Sequence, residues 1–433
     1  MERIWTNQIQ GYIGERVQLS GWLHHFRQLS SVNFLILRDG KGLAQVVIDD
    51  PAQVEMLATL NHESVLDVEG LAVIEPQAPG GVEIHHPVIT VVSAAVNAPP
   101  FDIYRPTIKA QLPTLLDNAQ VSLRHPRQRA LFQLSSAAME GFRSTLRAEQ
   151  FVEIQTPKIV ASVTEGGANV FRIDYFGTPA YLAQSPQLYK QIMVGVFERV
   201  FEVGPVFRAE PHSTTRHLNE YVSMDVEMGF IKDHRDVMAI LTNVLRGMIE
   251  TMRQQAADAI SLLKLPLPEI PAEIPVIHFA EALDRISKDT GEDIRSEPDL
   301  APAHERWLGE WARREFCSDF LFVEGYPTAK RAFYTHPDPE HPGYSRGFDL
   351  LFRGIELVSG SQRLHRYEDY LAALAERGQS IEPLAGYLEV FKYGMPPHGG
   401  FAIGLERWVG QIVGAQNIRE TTLFPRDLHR LTP

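Results

Sequence analysis

The chain has 433 residues and a net charge of −13, with 44% apolar and 22% charged residues. These are globular values, and the length exceeds one ordinary core, so two domains are expected. An acidic surface repels a polyanion at long range, which excludes indiscriminate nucleic-acid binding and leaves a small-molecule enzyme or a protein that holds RNA through local patches.

The single cysteine, Cys317, excludes an intramolecular disulfide framework and suits a reducing compartment. No apolar run approaches the ~20 residues of a spanning helix, and "MERIWTNQIQ" does not read as a signal peptide. A cytoplasmic protein without a membrane partner is expected.

Residues 1–100 contain five β-rich runs: "RVQLSGWL", "NFLILRD", "LAQVVID", "VLDVEGLAV" and "VEIHHPVITVV". A short helix is expected between the third and fourth. That pattern predicts a small OB-type barrel, with a β-sandwich as the alternative. "NAPPFDIYRPTIKAQLPTLLDN" is proline-rich and aperiodic, so residues 101–125 read as a linker. From Pro126 a long helical pattern, "RQRALFQLSSAAMEGFRSTLRAEQ", leads into the strand "FVEIQTPKIV". Alternating strands and helices continue to residue 433, an α+β arrangement. The sequence has no GxxxxGK[ST] and no Cys-x-x-Cys, which removes the commonest phosphate-loop and zinc assignments.

The stretch "FRAEPHSTTRHLNE", residues 207–220, sets charges of both signs between two alternating strands. On the first strand Val206, Arg208 and Glu210 should share a face. On the second, Tyr221, Ser223, Asp225 and Glu227 should oppose an apolar face of Val222, Met224, Val226 and Met228. A solvated charged face is the alternative. Further on, "GFDLLFRGIELVSGSQRLHR" runs into a glycine-rich turn with Glu356, Ser359 and Arg363. "HGGFAIGLERWVGQIVG" is a strand passing into a helix, with Arg407 in the first turn. The helix dipole disfavours a cation there, which points to an anionic ligand.

These three regions resemble motifs 1, 2 and 3 of the class II aminoacyl-tRNA synthetases. Motif 1 would be the long helix and the strand ending at Pro157, motif 2 the charged hairpin, and motif 3 "GFAIGLERW". "QSPQLYKQ", "RHLNE", "GSQR" and "LFPRD" are similar to the aspartyl-tRNA synthetase family, over essentially the whole chain. The span from the hairpin to Glu356 has no room for the large bacterial insertion, so the chain resembles the compact archaeal and eukaryotic type.

The resemblance implies an OB-fold anticodon-binding domain and an antiparallel-sheet catalytic domain over residues 126–433. Aspartate would be activated by ATP and transferred to tRNA. Arg208 and Arg407 would be the catalytic phosphate ligands. Glu210, Arg216, His217, Leu218, Tyr221, Glu356 and Gly404 would complete the ATP site. Glu356 and Ser359 would hold Mg2+; they stand three positions apart, so a bulge or strand end at "LVSG" is implied. Glu165, Gln187, Lys190, Asp225 and Arg363, with Arg208 and Ser359, would bind aspartate, Glu165 from a glycine-flanked lid. Arg27, Phe34 and Gln45 match the family's anticodon readers, although "FLIL" alone favours a core position for Phe34. The family also implies a homodimer built on motif 1.

The nearest rival is an asparaginyl-tRNA synthetase, against which Lys190 argues, because a neutral amide gives a buried ammonium no counter-charge. A tRNA-independent aspartate ligase would not require the barrel. An inactive RNA-binding paralogue would not require Arg208, Glu356 and Arg407. Strictly discriminating compact members tend to carry tryptophan two residues after "GW" and a lysine in the loop after the fourth strand. In the family the first of these positions lies near the anticodon's discriminating base; this chain has His24 there as a fourth expected anticodon residue, and the lysine-free "PQAPGG". A relaxed enzyme is therefore expected, charging tRNA(Asn) as well as tRNA(Asp), with a separate amidotransferase to follow.

Overall fold

The computed structural model of the protein describes residues 2–30, 32–161, 170–211 and 214–432. They form two compact units, Met1–Pro126 and Arg127–Pro433. In the first, strands β1 (Arg16–Gln28), β2 (Asn33–Arg38), β3 (Leu43–Ile48), β4 (Val65–Ile74) and β5 (Val82–Ser93) close into a barrel. Its order is β1-β2-β3-β5-β4. Helix α1 (Pro51–Ala58) joins β3 to β4. The Asp50 side chain caps it by accepting the Ala52 N–H at 3.0 Å, ahead of a proline in the first turn, a pairing that starts helices. Leu35, Leu37, Val46, Ile48 and Val68 fill the interior, the every-second-residue pattern of a closed barrel.

The segment expected to be a linker is folded into this unit. Residues Leu112–Asp117 are helical, Tyr104 stacks on His25 with ring centroids 4.3 Å apart, and His125 donates to the Arg105 carbonyl at 2.8 Å. Buried Arg38 donates to the Arg124 carbonyl at 3.0 Å and to Glu63 at 2.6 Å. Aromatic and ionic contacts between residues far apart in sequence order this segment, and periodicity does not register such contacts.

The second unit contains α2 (Pro126–Ala148), α3 (Gln187–Phe197), α4 (His234–Gln255) and α5 (Leu405–Val413) among its helices. Its early strands are β6 (Val152–Glu153), β7 (Ile159–Val160), β8 (Arg172–Tyr175), β9 (Thr178–Leu182), β10 (Arg199–Phe207) and β11 (Glu220–Gly229). Then come β12 (Val276–His278), β13 (Phe320–Glu324), β14 (Gly347–Phe352), β15 (Ile355–Gln362) and β16 (His398–Gly404). Eight strands form one sheet in the order β12-β13-β14-β15-β16-β11-β10-β6, and β7, β9 and β8 form a small second sheet. The large sheet is antiparallel except for the β6–β10 and β12–β13 pairs.

Helices α2 and α4 supply Leu134, Phe142, Val244 and Met248 to a core shared with Phe201, Met224, Val226 and Phe401 of the sheet. Each such side chain contributes roughly 1.5–3 kcal/mol on burial. Gly141 lets the two helices touch, since a Cβ there would stand 2.6 Å from the Met248 Cα. The opposite face of β15, β16, β11 and β10 carries the polar side chains.

Candidate active site

Strands β10 and β11 pair from Arg199–Met228 to Phe207–Glu220. Alternation holds on β11: Met224, Val226 and Met228 enter the core, and Ser223, Asp225 and Glu227 face the other way. That second face is not solvated, because Asp225 is 1% and Glu227 0% exposed. β10 ends at Phe207, so strand alternation does not place Glu210. The Arg208 N–H bonds the Asn219 carbonyl at 2.9 Å, and the Glu210 N–H turns back to the Arg208 carbonyl.

Both residues nonetheless reach one cleft of about 200 Å³. Arg208, Glu210, Arg216, His217, Leu218 and Tyr221 line it from the hairpin. Glu356, Ser359, Gly404 and Arg407 line it from β15 and the start of α5. The Arg208 guanidinium lies 5.8 Å from the Tyr221 ring centroid, within cation–π range. Arg407 occupies the first turn of α5 and donates to the Glu356 carbonyl at 2.9 Å. Its neighbour Glu406 turns inward, and its two oxygens accept the Val222 N–H at 3.1 and 3.2 Å. That bond ties the helix start to the strand that carries Tyr221. Burial pushes the Glu406 carboxyl up to about 7.

The implied bulge is present. Leu350 pairs with Val358 but Leu351 with Glu356, which leaves Leu357 as the extra residue. Glu356 and Ser359 therefore face the same side, joined by Asp349, the cross-strand partner of Ser359. Arg331 donates to Asp349 Oδ2 at 2.8 Å and to Ser359 Oγ at 3.0 Å. The other Asp349 oxygen, Oδ1, is buried without a partner. Asp349's charge, then burial, push the Glu356 carboxyl up to about 7. Two carboxylates repelling each other, one with an orphaned oxygen, fit a divalent cation with oxygen preference. Among the described residues no cluster of three His, Cys, Asp or Glu could hold a metal alone. The set therefore suits Mg2+, which keeps waters and substrate phosphates in its shell.

Deeper on the same face lie the residues expected to bind the amino acid. Lys190 (2% exposed) donates to Asp225 Oδ1 at 3.0 Å and stands 3.4 Å from Glu227 Oε2. Arg363 grips Glu227 with two bonds, 2.9 and 3.2 Å, and donates to the Gly400 carbonyl at 3.0 Å. A Cβ on Gly400 would come within 2.2 Å of Glu227 Oε2, so only glycine lets that strand approach. Gln187 offers its Oε1 to Arg363 at 3.4 Å, and Ser223 donates to Asp225 at 2.5 Å. Arg363's charge, with its direct bond, holds Glu227 below the usual carboxylate range against the opposing effect of burial.

Residues 111–428 match the family model for class II tRNA synthetases (D, K and N), and residues 17–92 that for the OB-fold nucleic acid binding domain. The chain belongs to the class II tRNA synthetases. It is 47% identical to an aspartate–tRNA(Asp/Asn) ligase of Thermus thermophilus and 46% identical to one of Deinococcus radiodurans. The first alignment covers 100% of both chains, the second 100% of this chain and 99% of the relative. Its fold is similar to asparaginyl-tRNA synthetase from Pyrococcus horikoshii complexed with asparaginyl-adenylate (TM-score 0.93, 30% identity, 100% of both chains covered).

In this synthetase three side chains that shape the candidate site carry no motif signal of their own. Asp349 is found only through its register against Ser359. Glu227 lies on the expected face, but its role between two cations depends on Arg363, distant in sequence. Glu406 sits beside the expected Arg407, and only its burial reveals it. Glu165 lies outside the described residues.

The synthetase's barrel brings three of its four expected anticodon residues together. Arg27 is the cross-strand partner of Phe34, and Gln45 of Ile36, so Arg27, Phe34 and Gln45 share a face. Phe34 stays out of the apolar core, which takes Leu35 and Leu37 instead. His24 departs from expectation. The β1–β2 register shifts between Leu23 and His25, and the extra residue, His24, is 5% exposed. The bulge leaves His25, the partner of Ile36, in line with Phe34. Burial pushes His24 down to about 3, so it is a neutral, enclosed imidazole.

Proposed function

We propose that the synthetase activates L-aspartate with ATP to aspartyl-adenylate and transfers the aspartyl group to the 3′ end of tRNA(Asp). The observation that carries this assignment is the pair of buried cations, Lys190 and Arg363, held by Asp225 and Glu227, with Asp225 bonded to the cleft-lining Ser223. A carboxylate side chain can accept a charge-assisted bond from each cation, whereas a carboxamide offers one neutral oxygen and an NH2 group to which neither cation can donate. Full-length similarity to relatives named as aspartate ligases supports it.

The α-carboxylate of aspartate is ionised at neutral pH, so its attack on the α-phosphorus needs positioning and charge neutralisation rather than a base. Arg208 and Arg407 would hold the phosphates from opposite walls, with Tyr221 beneath the adenine. Asp225 would receive the α-ammonium. Glu356, Ser359 and Asp349 would hold Mg2+, which when bound neutralises phosphate charge. Aspartate-dependent exchange between pyrophosphate and ATP tests the assignment. Exchange with asparagine in place of aspartate would overturn it in favour of the asparagine enzyme, and no exchange with either would indicate an inactive paralogue.

The second substrate is proposed to include tRNA(Asn). The support is the likeness to relatives named for both tRNAs, the lysine-free "PQAPGG" turn, and a barrel face carrying Gln45 and His25. An amide and a neutral imidazole can each donate or accept, so they suit either C or U. In parallel charging assays the two tRNAs should agree in kcat/KM within about tenfold. A preference for tRNA(Asp) of ~100-fold, roughly 3 kcal/mol, would sink the relaxed assignment.

The synthetase is also proposed to be a cytoplasmic homodimer paired through motif 1. Exposed Val152 and Ile159 next to the long helix supply apolar surface for a two-fold contact. Light scattering at micromolar concentration should give twice the chain mass, and a monomer there would remove the claim. No helix among the described residues is long and apolar enough to cross a membrane.

A further inference from the structure

Behind the two cations lies a buried polar cluster that the chemistry above leaves unused. Its centre is Gln191, 0% exposed, one residue after Lys190 on α3. All four hydrogen-bonding positions of its amide are engaged. Nε2 meets His398 Nε2 at 3.1 Å and the Tyr370 hydroxyl at 3.2 Å. Oε1 accepts from Gln187 Nε2 at 3.1 Å and stands 3.1 Å from the Tyr387 hydroxyl, whose single proton is shared between it and the Tyr370 oxygen at 2.9 Å.

The directions of the two Nε2 bonds are determined. His398 Nδ1 lies 2.9 Å from the Pro396 carbonyl, which can only accept, so that nitrogen carries the proton and Nε2 accepts from Gln191. The Tyr370 hydroxyl donates to the Leu364 carbonyl at 2.8 Å, so it too accepts from Gln191. Burial keeps His398 down at about 4, in agreement with a neutral ring.

Three of these four partners grip the surroundings of Arg363, and the fourth, Tyr387, bonds Tyr370. Gln187 accepts from its guanidinium. The His398 carbonyl accepts the Arg363 N–H at 2.8 Å. Tyr370 holds the next residue, Leu364. Gln191 thus joins the helix carrying Lys190 to the backbone on both sides of Arg363.

We infer that Gln191 is a positioning residue that sets Lys190 and Arg363 at the spacing a substrate carboxylate requires, and so favours aspartate over asparagine. This rests on the aspartate assignment above. The physical reason is an asymmetry between the two ligands. A carboxylate draws on both cations and suffers when their spacing relaxes, whereas a carboxamide gains little from the second cation and loses less.

The test uses the full chain in pyrophosphate exchange, with asparagine measured as substrate or as competitive inhibitor. Gln191→Met keeps the volume and removes every hydrogen bond. It should raise the aspartate KM at least about tenfold while the ATP KM stays within about twofold, and the preference for aspartate over asparagine should fall about tenfold. Tyr387→Phe removes a single hydroxyl, shared between Gln191 and Tyr370, and should move the same quantities by less. An unchanged preference in folded Gln191→Met overturns the inference. Equal losses for aspartate, asparagine and ATP also overturn it, because they mark a merely structural role. If Gln191→Met does not fold, Tyr387→Phe decides, and an unchanged preference there is equally fatal. Wild-type protein without aspartate-dependent exchange would overturn the aspartate assignment itself, and that control is read before any variant.

Discussion

Arg363→Leu should reduce aspartate-dependent exchange at least ~100-fold in kcat/KM, because it removes one of two cations from a desolvated carboxylate pocket. It should also cost stability. Glu227 is fully buried and takes two bonds from Arg363, and breaking a buried ion pair from one side typically costs about 3–5 kcal/mol. Lys190 remains 3.4 Å from Glu227 and should hold the loss toward the low end. Arg363→Lys separates the two effects. It restores the charge without the two-pronged geometry, so most stability should return while exchange stays at least about tenfold down. The measurements are thermal melting and exchange kinetics on both variants. Near-wild-type exchange in folded Arg363→Leu would remove Arg363 from the site.

Glu356→Gln should move activity and stability in opposite directions. Exchange should fall ~100-fold or more, since an amide is a poor substitute for an ionised oxygen ligand beside triphosphate. Stability without Mg2+ should rise at alkaline pH. Asp349 holds Glu356 up at about 7, above its value in the unfolded chain. The stability that Glu356 contributes is therefore full below about 4.5 and lost as pH rises through about 7. Glutamine is neutral throughout and escapes that loss. Melting in a chelator should show the variant gaining on wild type at pH 8 and gaining less at pH 5.5. A variant that is less stable at both values would show that the two carboxylates do not repel each other in the folded protein.

How far the sequence discloses this site depends on the reach of each signal. Alternation along β11 separates Met224 and Val226 from Asp225 and Glu227 because it is local and repeats every two residues. The bulge at Leu357 is legible once Glu356 and Ser359 are assigned to one ion, because three positions cannot share a face on a straight strand. Asp349 is not legible, because only cross-strand register places it. His24 is not legible for the same reason: one inserted residue at the bulge sets its imidazole out of line with Phe34 and encloses it near Arg38 and His125. The 101–125 segment escaped because Tyr104 and His125 are fixed by partners rather than by periodicity. Glu210 reaches the cleft by a turn beyond the end of β10, where strand alternation no longer applies.

The Lys190–Asp225–Glu227–Arg363 cluster matches two positive side chains with two negative ones. Without its amino acid, the pocket therefore has no net charge and exerts little pull on anions beyond contact distance. On the binding mode proposed above, admission of aspartate is an exchange of counter-ions, in which a bond to Glu227 is loosened for each one made to the newcomer. The affinity is then a small difference between two large attractions, sensitive to shape at the scale of one bond length.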